Sequence, residues 1–348
     1  MKLFSRTGLT ISVGVSVAAL AISVAVPAFA ASSPGWRRVA TIHFGAAGTA
    51  PEFDAVAPLT SSLAWAVGGL GQAGAPRAYR WTGSDWKASA LPAGLKESLG
   101  AISAPAANDV WAISGLGDYI LHYNGSKWSV SKRFSVFGEL TGVTALSSSN
   151  VWVFGNSGAF PGLGTWHYNG KTWTKATAAT NLGIGSATAV SPQNMWAEGS
   201  TTVGQDSIFH YTGTWSQVKA SALSGLSFSA ILAKSATNIW VAANAGTKSY
   251  VVHRTTAGWR RFSVPWVVNL SDMTTDGNGG FWFAGRGPGE ESWALHRSAA
   301  GRWSRTLLAR GSFVPGIARI PGTASVLAVG SVNTSTGTNA IIWADGNV

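Results

Sequence analysis

A short apolar pattern centred on tryptophan recurs along this chain at nearly constant spacing. It reads Leu63-Ala64-Trp65-Ala66-Val67-Gly68, then Asp109-Val110-Trp111-Ala112, then Asn150-Val151-Trp152-Val153-Phe154-Gly155. It returns as Asn194-Met195-Trp196-Ala197, Asn238-Ile239-Trp240-Val241 and Phe281-Trp282-Phe283-Ala284-Gly285. A seventh copy, Val326-Leu327-Ala328-Val329-Gly330, carries Leu in the Trp place. The intervals are 46, 41, 44, 44, 42 and 45 residues. Repeats of this length are single supersecondary units that bury their apolar faces only against one another, so the chain must form a stack or a ring.

A second pattern follows each copy of the first. Arg80-Trp81-Thr82-Gly83-Ser84-Asp85-Trp86 is followed by His122-Tyr123-Asn124-Gly125-Ser126-Lys127-Trp128 and His167-Tyr168-Asn169-Gly170-Lys171-Thr172-Trp173. His210 to Trp215, His253 to Trp259 and His296 to Trp303 complete the set. Asn-Gly between two strand-like runs predicts a hairpin, with both turn residues at positive φ. Before each first pattern lies a run of small residues, such as Leu99-Gly100-Ala101-Ile102-Ser103-Ala104 and Leu140-Thr141-Gly142-Val143-Thr144-Ala145. Each repeat therefore holds four short strands, which is the content of a β-propeller blade. Small side chains suit the innermost strand, and tryptophans suit the wedge-shaped gaps between twisted blades.

The two ends of the repeat region are half-blades. The last repeat reaches Ile341-Ile342-Trp343-Ala344-Asp345-Gly346 and stops at Val348, with a third strand but no fourth. Trp36-Arg37-Arg38-Val39 resembles an orphan fourth strand, with Trp36 in the second-Trp place. Pairing them completes a seventh blade and removes open sheet edges across the seam. The expected fold is all-β: a seven-bladed propeller of four-stranded blades, closed by the N-terminal strand.

Residues 1–30 read as a secretory signal, with Lys2 and Arg6 ahead of an apolar stretch and Ala28-Phe29-Ala30 fitting the cleavage rule. Residues 31–348 then form one propeller domain, secreted and extracellular or wall-associated. No later segment is apolar for long enough to span a membrane. The absence of Cys rules out disulfides, thiolate metal sites and Cys nucleophiles. Charged residues are only 11% of the chain, against about 25% in ordinary domains, as befits sheets covered on both faces. The formal net charge is nevertheless +11. Much of the basic excess follows the predicted outer strands, where it protects edges and attracts polyanions such as wall polymers or acidic polysaccharides. Export argues against a nucleic-acid partner.

The Val-Trp-Ala-x-Gly pattern followed by His-Tyr-Asn-Gly-x-x-Trp resembles tectonin-type lectin repeats and related secreted bacterial propellers. Its Gly-x-x-Trp ending also resembles the Asp-box hairpin of sialidase-type propellers, although the Ser and Asp of that motif are missing beside Gly125 and Gly170. The resemblance spans residues 31–348 and implies a propeller that binds carbohydrate. Arg319-Ile320-Pro321 looks like the sialidase Arg-Ile-Pro segment but lies in the last blade rather than the first.

Candidate chemistry is sparse. His122, His167, His210, His253 and His296 occupy one repeat position, one per blade, and are expected to fix their blades by hydrogen bonds. A metal would need its ligands within about 2 Å of one ion, so no metal or cofactor is expected. Asp118, Glu198, Asp206, Glu290 and Glu291 fall between second and third strands, where loops share one face of the ring. Trp266, in an inter-blade connection without counterpart elsewhere, could stack on a sugar or anchor a partner. Trp266, Asp206, Arg286, Glu290 and Glu291 are the candidate ligand-binding residues; no catalytic residue is assigned. The reading is a secreted, monomeric, non-enzymatic propeller that binds a glycan or a protein. The alternative is a glycan-active hydrolase or lyase with converging loop carboxylates.

Overall fold

The computed structural model describes residues 35–44, 49–71, 74–117, 119–135, 138–155, 163–176, 182–201 and 204–348. The predicted signal (residues 1–30) and Asp118 lie outside them. The described chain forms seven antiparallel sheets of four strands each. The first blade is β2 (Pro51–Thr60), β3 (Leu63–Leu70), β4 (Pro76–Trp81) and β5 (Trp86–Ala88). The second is β6 (Leu99–Ala106), β7 (Asp109–Ser114), β8 (Tyr119–Tyr123) and β9 (Trp128–Arg133), and the third is β10 (Leu140–Ser147), β11 (Asn150–Gly155), β12 (Trp166–Tyr168) and β13 (Trp173–Lys175). The fourth is β14 (Leu182–Ser191), β15 (Asn194–Thr201), β16 (Asp206–Tyr211) and β17 (Trp215–Val218), and the fifth is β18 (Ser227–Ser235), β19 (Asn238–Ala245), β20 (Lys248–Thr255) and β21 (Gly258–Ser263). The sixth holds β22 (Asn269–Thr275), β23 (Phe281–Arg286), β24 (Ser292–Arg297) and β25 (Trp303–Ala309). In the seventh, β26 (Ser312–Arg319), β27 (Val326–Thr334) and β28 (Gly337–Asp345) are completed by β1 (Arg37–Ile42). The first strands of successive blades touch one another in order and return from the seventh blade to the first, so they line the centre of a closed ring.

β1 pairs antiparallel with β28, from Arg37 opposite Ala344 to Ile42 opposite Ala340. Trp36 meets Trp282 of the sixth blade edge-on at 5.3 Å, as its place in the second-Trp series predicts.

The histidines fix their blades as expected, through a clamp whose third member is an Asn or Asp. In the third blade both His167 Nε2, at 3.0 Å, and Trp152 Nε1, at 3.1 Å, donate to Asn150 Oδ1. Asn194 and Asn238 hold Trp196 with His210 and Trp240 with His253 in the same way. Asp109 does so for Trp111 and His122. The imidazoles stack on the indoles, as close as 3.7 Å for His253 on Trp240. Burial against these rings lowers the pKa of His167, His210 and His253, which favours neutral imidazoles donating through Nε2. The first blade lacks the clamp: Leu63 replaces Asn, Trp65 Nε1 has no partner, and Arg80 lies over the Trp65 ring at 5.9 Å.

The outer hairpins form where expected, but not with the expected turn. Gly125 and Gly170 have φ of +94° and +90°, whereas Glu290 is the one non-glycine residue at positive φ among the described residues. Asn124 and Asn169 instead use their side chains: Asn124 Oδ1 accepts the N–H groups of Ser126 and Lys127, and Asn169 Oδ1 those of Lys171 and Thr172. The four-residue turn thus rests on a side-chain acceptor rather than on two left-handed residues.

A further periodicity appears only in three dimensions. In every blade the innermost strand slips register against the second near its start, as between Phe53 and Ala55, Leu140 and Gly142, and Leu270 and Asp272. The same bulge occurs in the other four blades. Small polar residues at or beyond it cross to the next blade: Thr141 Oγ1 donates to Ile184 O, Thr144 Oγ1 to Ala187 O at 2.9 Å, and Ser271 Oγ to Val314 O at 2.8 Å. The Ser and Thr content of the inner strands is therefore inter-blade hydrogen bonding as well as small volume.

Candidate functional site

In this topology the links between second and third strands, and those from one blade to the next, lie at one end of the ring. The turns between first and second strands and the outer hairpins lie at the other.

Arg286, Glu290 and Glu291 come together in the loop joining β23 to β24. Arg286 Nη2 lies 3.0 Å from Glu290 Oε1. Glu290 adopts φ +62°, and its carbonyl accepts the N–H of Ser312 at 3.3 Å, tying the loop to the seventh blade. A left-handed non-glycine residue costs on the order of 1 kcal/mol and persists where its surroundings impose it. Glu291 turns the other way, accepting from Gly289 N and pairing with Arg310 at 3.1 Å.

Asp206 is the exposed first residue of β16, in the fourth blade, and borders a hollow of about 570 Å³ lined by Gln205, Gln217, Lys219, Ser221 and Ser224. Trp266 is half-buried against the fifth and sixth blades, edge-on to Trp303 at 6.4 Å. Arg305 lies over both Trp266, at 4.9 Å, and Trp293, at 4.2 Å. The five candidate residues thus occupy three places, of which only the Arg286–Glu290–Glu291 loop unites more than one of them.

Three enclosed carboxyl groups were not singled out as a set from sequence. Asp54 occupies the bulge of β2 and accepts from Ser98 Oγ at 3.0 Å across the blade boundary. Asp272, beside the bulge of β22, accepts from Met273 N at 2.7 Å and Ile317 N at 2.8 Å. Glu198 belongs to β15 rather than to a loop, and its carboxylate fills the space beside Gly185, where a Cβ would come within 2.4 Å of Oε1. Burial raises all three, each to about 7, with Glu52 adding repulsion at Asp54. The only hint in the sequence was glycine at the bulge of β14.

These shifts set a pH dependence. Burial favours the protonated carboxyl, so the folded state holds protons that the unfolded chain releases near pH 4. The associated stability is present below that pH and is lost as pH rises through about 7. Between pH 5.5 and 8.5 each group should cost on the order of 2 kcal/mol. These carboxyls pull the melting temperature down over this range, against His167, His210 and His253, whose lowered pKa values add stability as pH rises through about 6.5. Glu198→Gln, which keeps the shape without titrating, should therefore gain about 2 kcal/mol on the parent between pH 5.5 and 8.5. Parallel melting curves for the two proteins across pH would show that Glu198 does not titrate in this way.

The basic excess has a structural share. Lys132 lies over Trp166 at 4.0 Å, Arg254 over Trp196 at 4.8 Å and Arg297 over Trp240 at 5.3 Å. Such contacts hold cations over ring faces that would otherwise meet water. Arg319 is likewise structural, donating through Nε to Thr275 Oγ1 at 2.8 Å and through Nη1 to Thr323 O at 2.6 Å. The Arg-Ile-Pro likeness therefore coincides with an inter-blade brace.

No family model matches the chain, and no curated protein sequence does. Solved structures match it over nearly its whole described length. A catalytically inactive virginiamycin B lyase from Staphylococcus aureus, solved with quinupristin, shares 10% identity with TM-score 0.65, covering 90% of this chain and 100% of that one. YCF48 bound to D1 peptide shares 16% identity with TM-score 0.60, covering 90% and 97%. The WD40 propeller domain of Doa1 shares 10% identity with TM-score 0.60, covering 89% and 97%. Likeness at this identity establishes the propeller fold and leaves function to the residues of this chain.

Proposed function

We propose that this chain is an exported, non-catalytic binding propeller for an anionic extracellular or cell-wall glycan. The observation that carries the reading is the charge left on the surface. Among the described residues the exposed carboxylates are Asp85, Glu139, Asp206 and Glu290, while sixteen lysines and arginines are exposed. The other described carboxylates lie wholly or partly inside the fold, as with Asp54, Glu198 and Asp272, or hold a histidine, as do Asp109 and Asp276. A surface of one sign raises the local concentration of polyanions and speeds their capture. The likeness to lectin-type repeats supports a glycan as the polyanion. The hydrolase or lyase reading has less support, because Glu290 and Glu291 are each engaged by an arginine within a hydrogen-bonded turn.

An array of acidic and neutral polysaccharides together with wall polymers tests this. The expected pattern is retention on uronate- and phosphate-bearing polymers at low salt, with neutral glycans blank. Retention on neutral glycans alone, or a blank array with a protein captured from the producer's own secretome, would overturn the reading.

A further inference from the structure

The tryptophan wedge is present at six blade junctions and missing at the seventh. Trp65 of the first blade packs on Trp128 of the second at 5.3 Å, Trp111 on Trp173 at 5.8 Å, and Trp152 on Tyr211 at 5.1 Å. Trp196 meets Trp259 at 6.1 Å, Trp240 meets Phe281 at 4.5 Å, and Trp282 meets Trp36 at 5.3 Å. At the seam between the seventh and first blades the corresponding residue is Leu327, 2% exposed, so the first-Trp place carries no indole there.

A hollow of about 290 Å³ lies there, lined by Leu327, Ile320 and Ala64 and by Trp81 and Trp86 of the first blade's hairpin. The two indoles sit 5.7 Å apart and are half-buried, with Trp81 Nε1 anchored to Ser61 O at 2.9 Å. Arg37 and Arg38 of the closing strand supply the charged side chains of the lining. Arg37 is held by Gly346 O at 2.6 Å, and Arg38 is exposed. Towards the hairpin end of the ring, the cleft therefore combines an apolar floor, two aromatic walls and a cationic lip.

We propose that this seam groove is a docking site for a partner polypeptide that inserts one aromatic side chain flanked by carboxylates. The aromatic ring supplies the volume that tryptophan supplies at the other junctions, and the carboxylates meet Arg37 and Arg38. Buried aromatic anchors beside an arginine are the usual energetic centre of such contacts. The site shares only Arg38 with the dispersed basic surface proposed to hold a glycan, and either can fail without the other.

Calorimetric titration of the purified protein with the acidic peptide acetyl-Asp-Trp-Asp-Glu-amide tests the proposal. Binding is expected, with at least a tenfold loss when the peptide's Trp is replaced by Ala and about a fivefold loss in Arg38→Ala. Leu327→Trp should fill the groove, abolish peptide binding, raise the melting temperature by a few degrees and leave polyanion retention unchanged. If that variant fails to fold, Trp86→Ala, which removes one wall on an outer hairpin, should lower peptide affinity at least tenfold. No binding at millimolar peptide overturns the proposal, as does equal binding by Leu327→Trp or, where that variant does not fold, by Trp86→Ala. Seam-dependent binding of a uronate disaccharide in place of the peptide would make the occupant a sugar and overturn it equally.

Discussion

Deleting residues 31–42 is expected to lower the melting temperature by more than about 10 °C and to make the protein aggregate. The segment contributes β1, whose Val39, Ala40 and Ile42 pack on the core between the seventh and first blades, and Trp36, which packs on Trp282. Burial of these side chains alone contributes on the order of 5 kcal/mol, a large share of the about 5–15 kcal/mol that holds a typical domain folded. The loss is also topological. Without β1, the buried run Ala340–Ala344 of β28 becomes an open apolar edge, a template for pairing with other chains. A melting temperature within about 2 °C of the intact protein would show that the ring does not depend on this strand.

Trp111→Ala should destabilise the protein by about 3–5 kcal/mol, the range for emptying a large aromatic site in a core. Trp111 is 1% exposed, donates to Asp109 Oδ1 at 2.7 Å, stacks on His122 at 4.1 Å and forms the wedge against Tyr168 and Trp173 of the next blade. Its removal leaves a cavity at a junction and disrupts the clamp within a blade. Trp266→Ala, at a half-buried ring covered by Arg305, should cost no more than about 1 kcal/mol. Equilibrium denaturation of both variants separates wedge from surface tryptophans. Equal losses would mean that the repeat tryptophans are not the structural series described above.

Blade number, strand order and ring closure were legible in the sequence because they follow from local, periodic choices. Trp, His and the hairpin glycine recur at nearly fixed offsets, and Trp36 fits a place that the last repeat leaves open. The clamp was half legible: the histidine series was visible, but its acceptor, Asn150 or Asp109, precedes the Trp by two residues and meets the His only when the strands pair. The hairpins were correctly located with the wrong turn, because an Asn side chain can cap a turn without taking a left-handed backbone. The enclosed carboxyls were hidden for a different reason. Asp54, Glu198 and Asp272 are short-range unremarkable, and their burial depends on bulges and on residues about one repeat away, such as Ser98 and Ile317. The seam groove had a trace in the Leu at the seventh Trp place, but its consequence needed Trp81 and Trp86 to be placed opposite.

The functional account rests on the predominantly basic surface, and the dissociation constant for polygalacturonate as a function of salt tests it most directly. If exposed lysines and arginines carry the binding, the affinity should fall at least tenfold between 50 and 500 mM NaCl, as screening shortens the reach of surface charge. A neutral dextran of matched length should not bind at any salt. Salt-independent binding of polygalacturonate, or no binding at 50 mM NaCl, would contradict the account.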